Sequence, residues 1–220
     1  MIWASAAHGR AGHGTVYSTN WSGYAATGRA GSFRAVSASW IEPAARCDSR
    51  GNQYASFWVG LDGYSSQTVE QIGTDADCSG RAPVYYGWYE MYPGYPVYLL
   101  NPVGPGDRLS ASVTFSAFWT YTLVLRDLTR NWTKVITVNA PGLARSSAEA
   151  ITEALSSSGG VLPLANFGTV SYSAATANGK SLGRQGPVRI VMVNDRGQAK
   201  DATSAITAGG AFSNTWLRSS

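Results

Sequence analysis

Between Arg108 and Ser116, Leu109, Ala111, Val113 and Phe115 alternate strictly with polar residues. Successive side chains of a strand point to opposite faces, so this period of two marks a half-buried strand of an antiparallel sheet. Further strand-like segments run from Phe33 to Ile41, Tyr54 to Leu61, Thr68 to Gly73, Val84 to Tyr92, Thr120 to Leu128, Lys134 to Val138, Gly168 to Ala174 and Val188 to Val193. Turn-rich stretches at 48–52, 101–107, 178–180 and 194–197 separate them. Short strands with such punctuation predict an all-β sandwich or barrel. The 220 residues carry no internal repeat and no linker, so one domain over 15–220 is expected. Residues 1–14 lack the apolar core of a signal peptide and read as a flexible mature terminus. One segment dissents: Ser146 to Leu155 reads locally as a short helix, with Ser146 and Glu149 at the spacing of a capping box.

Charge and composition exclude several classes of function. The net charge is +4 with the basic residues scattered, whereas nucleic-acid binding needs a concentrated basic stripe. No apolar run is long enough to span a bilayer. Only 14% of residues are charged, so Ser, Thr, Asn and Gly keep the surface polar, a habit of secreted β proteins. The partners expected are therefore neither nucleic acid nor membrane, and the chain reads as a monomer.

Catalytic candidates narrow by elimination. Both histidines, His8 and His13, fall in the N-terminal segment, and two cysteines cannot by themselves fill a tetrahedral metal site. Without a scaffolded histidine there is no Ser-His-Asp or Cys-His arrangement. No glycine-rich loop opens a helix to cradle phosphate. No metal or other cofactor is expected. Acid and amide chemistry remain, carried by five glutamates: Glu42, Glu70, Glu90, Glu149 and Glu153. The densest aromatic patch, Tyr85 to Pro93, places Tyr86, Trp88, Glu90 and Tyr92 on one face of a strand. A carboxylate there must line a cleft or be hydrogen-bonded in a buried network.

Several motifs, in order, carry a family resemblance. They are Asn20-Trp21-Ser22-Gly23-Tyr24, Trp40-Ile41-Glu42-Pro43, Phe57-Trp58-Val59-Gly60-Leu61-Asp62-Gly63, Val69-Glu70-Gln71-Ile72-Gly73-Thr74-Asp75, Trp88-Tyr89-Glu90-Met91-Tyr92-Pro93 and Asn166-Phe167-Gly168-Thr169-Val170. In this the chain resembles the glutamic peptidases, or eqolisins. The resemblance implies a bent antiparallel β-sandwich of lectin/glucanase, jelly-roll type and a secreted, acid-acting endopeptidase with polypeptide substrates. It places the family's catalytic glutamine on Gln71 and its catalytic glutamate on Glu149, and cleft residues on Trp58, Asp62, Trp88, Glu90 and Tyr92. A departure stands at Ala150, where the family usually has tryptophan. Extended backbone is expected at Glu149, tertiary context overriding local helix propensity.

In the implied mechanism Glu149 takes a proton from the attacking water and returns it to the leaving amine. Gln71 donates to the oxyanion. Their side chains are expected on adjacent strands, close enough to share a water. Two other readings stand beside this one. A jelly-roll glycoside hydrolase would pair Glu70 with Glu90 across a groove, and a non-catalytic carbohydrate-binding sandwich would show an aromatic platform without a close Gln–Glu pair. In an exported chain, Cys47 and Cys78 flank one strand-rich segment and are expected to form a disulfide.

Overall fold

The alternation that begins at Arg108 becomes strand β8 (Arg108–Phe115), with Leu109, Ala111 and Val113 buried against a second sheet. The computed structural model describes residues 14–48 and 51–220; His8, His13 and the N-terminal segment apart from Gly14 lie outside the described residues. The first sheet runs, in spatial order, β1 (Thr15–Ser18), β16 (Val188–Met192), β2 (Trp21–Thr27), β11 (Ser147–Glu153), β4 (Ser56–Leu61), β5 (Val69–Ser79), β6 (Ala82–Tyr92), β7 (Val97–Tyr98). The second runs β10 (Trp132–Asn139), β9 (Thr120–Asp127), β8, β3 (Ala35–Ile41), β14 (Thr169–Ala177), β18 (Phe212–Trp216), β17 (Asp201–Thr203), with β15 (Lys180–Ser181) also paired to β14. A short ribbon of β12 (Ser156–Ser157) and β13 (Gly160–Val161) follows β11. Pairing is antiparallel except between β1 and β16. Among the described residues the one helical element is a 3-10 turn at Leu182–Arg184. All nine segments read as strands from sequence lie within or overlap observed strands.

Phe57, Val59 and Leu61 of β4, Ile72 and Ala76 of β5, and Ala148 and Ala150 of β11 meet Leu109, Val113, Leu123 and Leu125 in the core between the sheets. The opposite face of the first sheet carries its own apolar cluster, built around Trp21, Trp58, Trp88 and Ile151. Coverage of both faces explains why β2, β4 and β11 are buried almost throughout and show no clean alternation.

The helix-like segment is β11, the central strand between β2 and β4. Ladder hydrogen bonds on both edges and burial on both faces outweigh its local helix propensity. Gly23 makes one of these contacts possible. Its φ of 133° is open only to glycine, and a Cβ would collide with the Ala150 carbonyl oxygen. Ala150 itself is fully buried in the core between the sheets, so its side chain does not pack on the outer face.

Cys47 and Cys78 are joined as expected, with Cα atoms 5.4 Å apart and a sequence separation of 31. The bond ties the segment after β3 to the end of β5.

Candidate active site

Strand register decides which side chains share the outer face of the first sheet. Glu149 of β11 lies opposite Gly60 of β4, Gly60 opposite Gln71 of β5, and Gln71 opposite Glu90 of β6. One step of four residues along, Glu153 lies opposite Ser56, and Ser56 opposite Asp75. Period two then puts Ile151, Trp58, Trp88 and Tyr92 on the same face. Against this face lies a cavity of about 250 Å³. Gln71, Asp75, Trp88, Glu90, Tyr92 and Glu153 line it, joined by Asn20 and Trp21 from β2 and its lead-in and by Tyr98 of β7.

Gln71 and Glu90 are bound to each other: Gln71 Nε2 donates to Glu90 Oε2 at 2.6 Å. Both side chains are about 95% buried, and Gln71 Oε1 and Glu90 Oε1 have no hydrogen-bond partner. Burial pushes the Glu90 carboxyl up to about 7 against the opposing hydrogen bond from Gln71. Glu153 is partly exposed and held from two sides. Trp58 Nε1 donates to its Oε2 at 2.9 Å and Asn20 Nδ2 to its Oε1 at 3.1 Å. Burial raises this carboxyl to about 7, with Glu90 adding to the rise and the Trp21, Trp58 and Asn20 donors opposing it. Trp21 packs edge-on against Trp58 with centroids 5.0 Å apart, which fixes the donor ring. Asp75 accepts from Trp88 Nε1 at 2.5 Å and from the Ser56 hydroxyl. Burial, and the neighbouring Asp77, hold Asp75 well above the ordinary carboxylate range.

The structure corrects the expected adjacency of Glu149 and Gln71. The strand of Glu149 is not adjacent to that of Gln71, because β4 lies between them. The gap left by Gly60 is filled by Trp58: a Cβ at Gly60 would meet Trp58 Cζ3 at 2.9 Å, so the indole stands on the row joining Glu149 to Gln71. Glu149 is fully buried, does not line the cavity, and has a partner for neither carboxylate oxygen. Burial raises it well above its ordinary range, and Asp62 and Glu70 add to the effect. Asp62 is also displaced from the expected role. It is fully buried and accepts from Arg145 N at 2.6 Å and Ser146 N at 2.8 Å, bracing the turn that leads into β11. Trp58 is fully buried and reaches the site through its N–H, donated to Glu153, and through its edge contact with Trp21. Of the expected residues the cavity gathers Gln71, Trp88, Glu90 and Tyr92, and to these it adds Glu153, Asp75, Asn20 and Trp21. A signal for Glu153 was present: it shares the face of Glu149 four residues on, in Ala148-Glu149-Ala150-Ile151-Thr152-Glu153.

The glycosidase pairing does not form. Glu70 lies opposite Leu61 and Met91 and faces the core between the sheets, while Glu90 faces the cavity. Among the described residues no group of three or more His, Cys, Asp or Glu could hold a metal, and no helix is long and apolar enough to cross a membrane.

The profile of the peptidase A4 family matches residues 19–215. Aspergillopepsin-2 of Aspergillus niger is 29% identical over 136 residues, 59% of this chain and 48% of its own. The match thus spans about half the length of that relative. Scytalido-glutamic peptidase, solved with a peptide-based transition-state analogue, superposes with a TM-score of 0.75 at 26% identity, covering 90% of this chain and 98% of the other. SCP-B, a member of the eqolisin family solved with the tripeptide Ala-Ile-His, shares the fold with a TM-score of 0.73 at 24% identity, covering 90% and 98%.

Proposed function

The chain belongs to the peptidase A4 family, and from that premise we propose that it is a secreted endopeptidase working in moderate acid through Gln71 and Glu153. One observation carries this pairing: Gln71 and Glu153 line a single cavity from two sides of the buried Trp58 ring, and Glu149 does not reach it. Glu153 accepts a proton from a water as that water attacks the scissile carbonyl, then returns it to the departing amine. Burial favours the protonated carboxyl that the departing amine needs, while the Trp21, Trp58 and Asn20 donors favour the carboxylate that takes the proton of the attacking water. The Trp58 and Asn20 donors keep the carboxylate aimed while it is ionised. Gln71 spends one amide hydrogen on Glu90 and has a second for the oxyanion. A donor of this kind contributes about 3 kcal/mol to transition-state stabilisation. Trp21, Trp88, Tyr92 and Tyr98 form the aromatic walls that take up the polypeptide.

Two further observations support the setting. All five glutamates, with Asp75, Asp77 and Asp201, are held above their ordinary range, in each case first by burial, so the folded state favours neutral carboxyls. The Cys47–Cys78 disulfide belongs to an oxidising compartment, as secretion provides. The test is digestion of an unfolded protein across pH 3 to 8, with new termini mapped by mass spectrometry. Gln71→Ala is expected to lower kcat by about a hundredfold or more; unchanged kcat in that variant excludes Gln71 as the donor.

A further inference from the structure

The Gln71–Glu90 contact is half of a recognisable pair. A primary amide and a protonated carboxyl can join through two hydrogen bonds at once, the acid carbonyl accepting from the amide N–H while the acid O–H donates to the amide oxygen. Here the first bond is present, from Gln71 Nε2 to Glu90 Oε2 at 2.6 Å. The atoms left over on the two side chains, Gln71 Oε1 and Glu90 Oε1, are both buried and both unpartnered. Ionised, both are acceptors and cannot satisfy each other. A proton on Glu90 Oε1 makes one of them a donor and removes both deficits together.

We propose that protonated Glu90 locks the Gln71 side chain in a cyclic acid–amide pair, making Glu90 the positioning residue that aims the second Gln71 N–H into the cleft. Ionisation of Glu90 breaks the second bond, sets two acceptor oxygens against each other and frees the amide to turn. Acid action thereby gains a cause inside the site, separate from the stability of the fold. The groups facing Glu90 favour the neutral form. Glu153 from β11, Asp75 from β5 and Tyr98 from β7 line the same cavity and are acidic, and among the described residues no Lys, Arg or His lines it. Burial already brings its carboxyl up to about 7. The inference rests on Gln71 being the oxyanion donor.

Glu90→Gln tests it. An amide at position 90 can form the same two-bond ring with Gln71 at every pH. The kcat profile of this variant is expected to lose the wild-type fall near pH 7, with kcat in acid reduced by less than about tenfold. Glu90→Leu cannot form the ring, and the misplaced donor is expected to cost about a hundredfold in kcat at every pH with KM little changed. Circular dichroism at each pH reads folding separately. Should Glu90→Leu fail to fold, the Gln71 side-chain amide resonances of 15N-glutamine-labelled wild-type protein give a second readout. They should shift with a midpoint near 7, and that shift should be absent in Glu90→Gln. A wild-type fall in kcat for folded Glu90→Gln, or Gln71 resonances that do not titrate, overturns the proposal. Wild-type activity in Gln71→Ala would instead overturn the donor role on which it depends.

Discussion

Raising the pH from 5 to 7 is expected to destabilise the fold by about 5 kcal/mol through two buried glutamates alone. Glu42 and Glu70 lie in the core between the sheets, 1% and 0% exposed. Burial lifts Glu42 to about 8, although Thr74 and Trp40 donate to it, and lifts Glu70 to about 9, with Asp62 adding to the rise. In the unfolded chain both ionise near the ordinary glutamate value, about 4.3. Between roughly pH 5 and 7 these two groups alone therefore give the folded state two protons that the unfolded chain has released, and stability falls as pH rises. At about 1.4 kcal/mol per proton per pH unit, two protons over two units give about 5 kcal/mol, against a total stability of 5–15 kcal/mol for a typical domain. Lys200, lowered to about 8 by burial, opposes this trend only above that pH. Urea unfolding at pH 5, 6 and 7 measures the slope, and Glu70→Gln should reduce it by about 1.4 kcal/mol per unit. Stability that is flat or rising from pH 5 to 7 would refute the assignment of these two carboxyls as buried and neutral.

Other perturbations address the site and the staple. Trp58→Phe removes a donor that favours ionised Glu153, so the acid limb of kcat/KM should move to higher pH; a limb that stays in place contradicts the role given to Trp58. Gly60→Ala drives a Cβ against the buried Trp58 ring, at an overpacking cost of about 1–3 kcal/mol, and should lower kcat as the donor shifts away from Glu153; full kcat with unchanged thermal stability would show that the ring yields freely. Replacing both Cys47 and Cys78 by Ser opens a loop of 31 residues and should cost about 3–4 kcal/mol of stability in urea unfolding, with no loss counting against it.

The fold was most legible in the longer strands with one face toward solvent, while the short β1 and β17 and the strand β18 went unread. β8 alternates because its outward residues Arg108, Ser110, Ser112 and Thr114 are polar, and the sequence period reports it. Legibility failed at β2 and β11, whose two covered faces remove the alternation. At Ser146 to Leu155 the alanines and glutamates that suit the middle of a sheet also suit a helix. The site was half legible. Gln71, Trp88, Glu90 and Tyr92 sit on neighbouring strands in direct register, so motifs and period two were enough to group them. The acid partner was ambiguous because Glu149 and Glu153 share one face of β11. Only the long-range placement of Trp58 over Gly60 separates the glutamate under the ring from the glutamate in the cleft.

That separation can be measured directly by comparing kcat for Glu153→Gln and Glu149→Gln on the same peptide at the pH optimum. Glu153→Gln keeps the shape and deletes the base, and it should lose between about a hundredfold and ten-thousandfold, while Glu149→Gln stays within about tenfold of wild type. Glu149→Gln also places a neutral group where burial already favours one, so its stability at neutral pH should not fall. An inactive, folded Glu149→Gln beside an active Glu153→Gln would contradict the account and return the catalytic role to the buried glutamate.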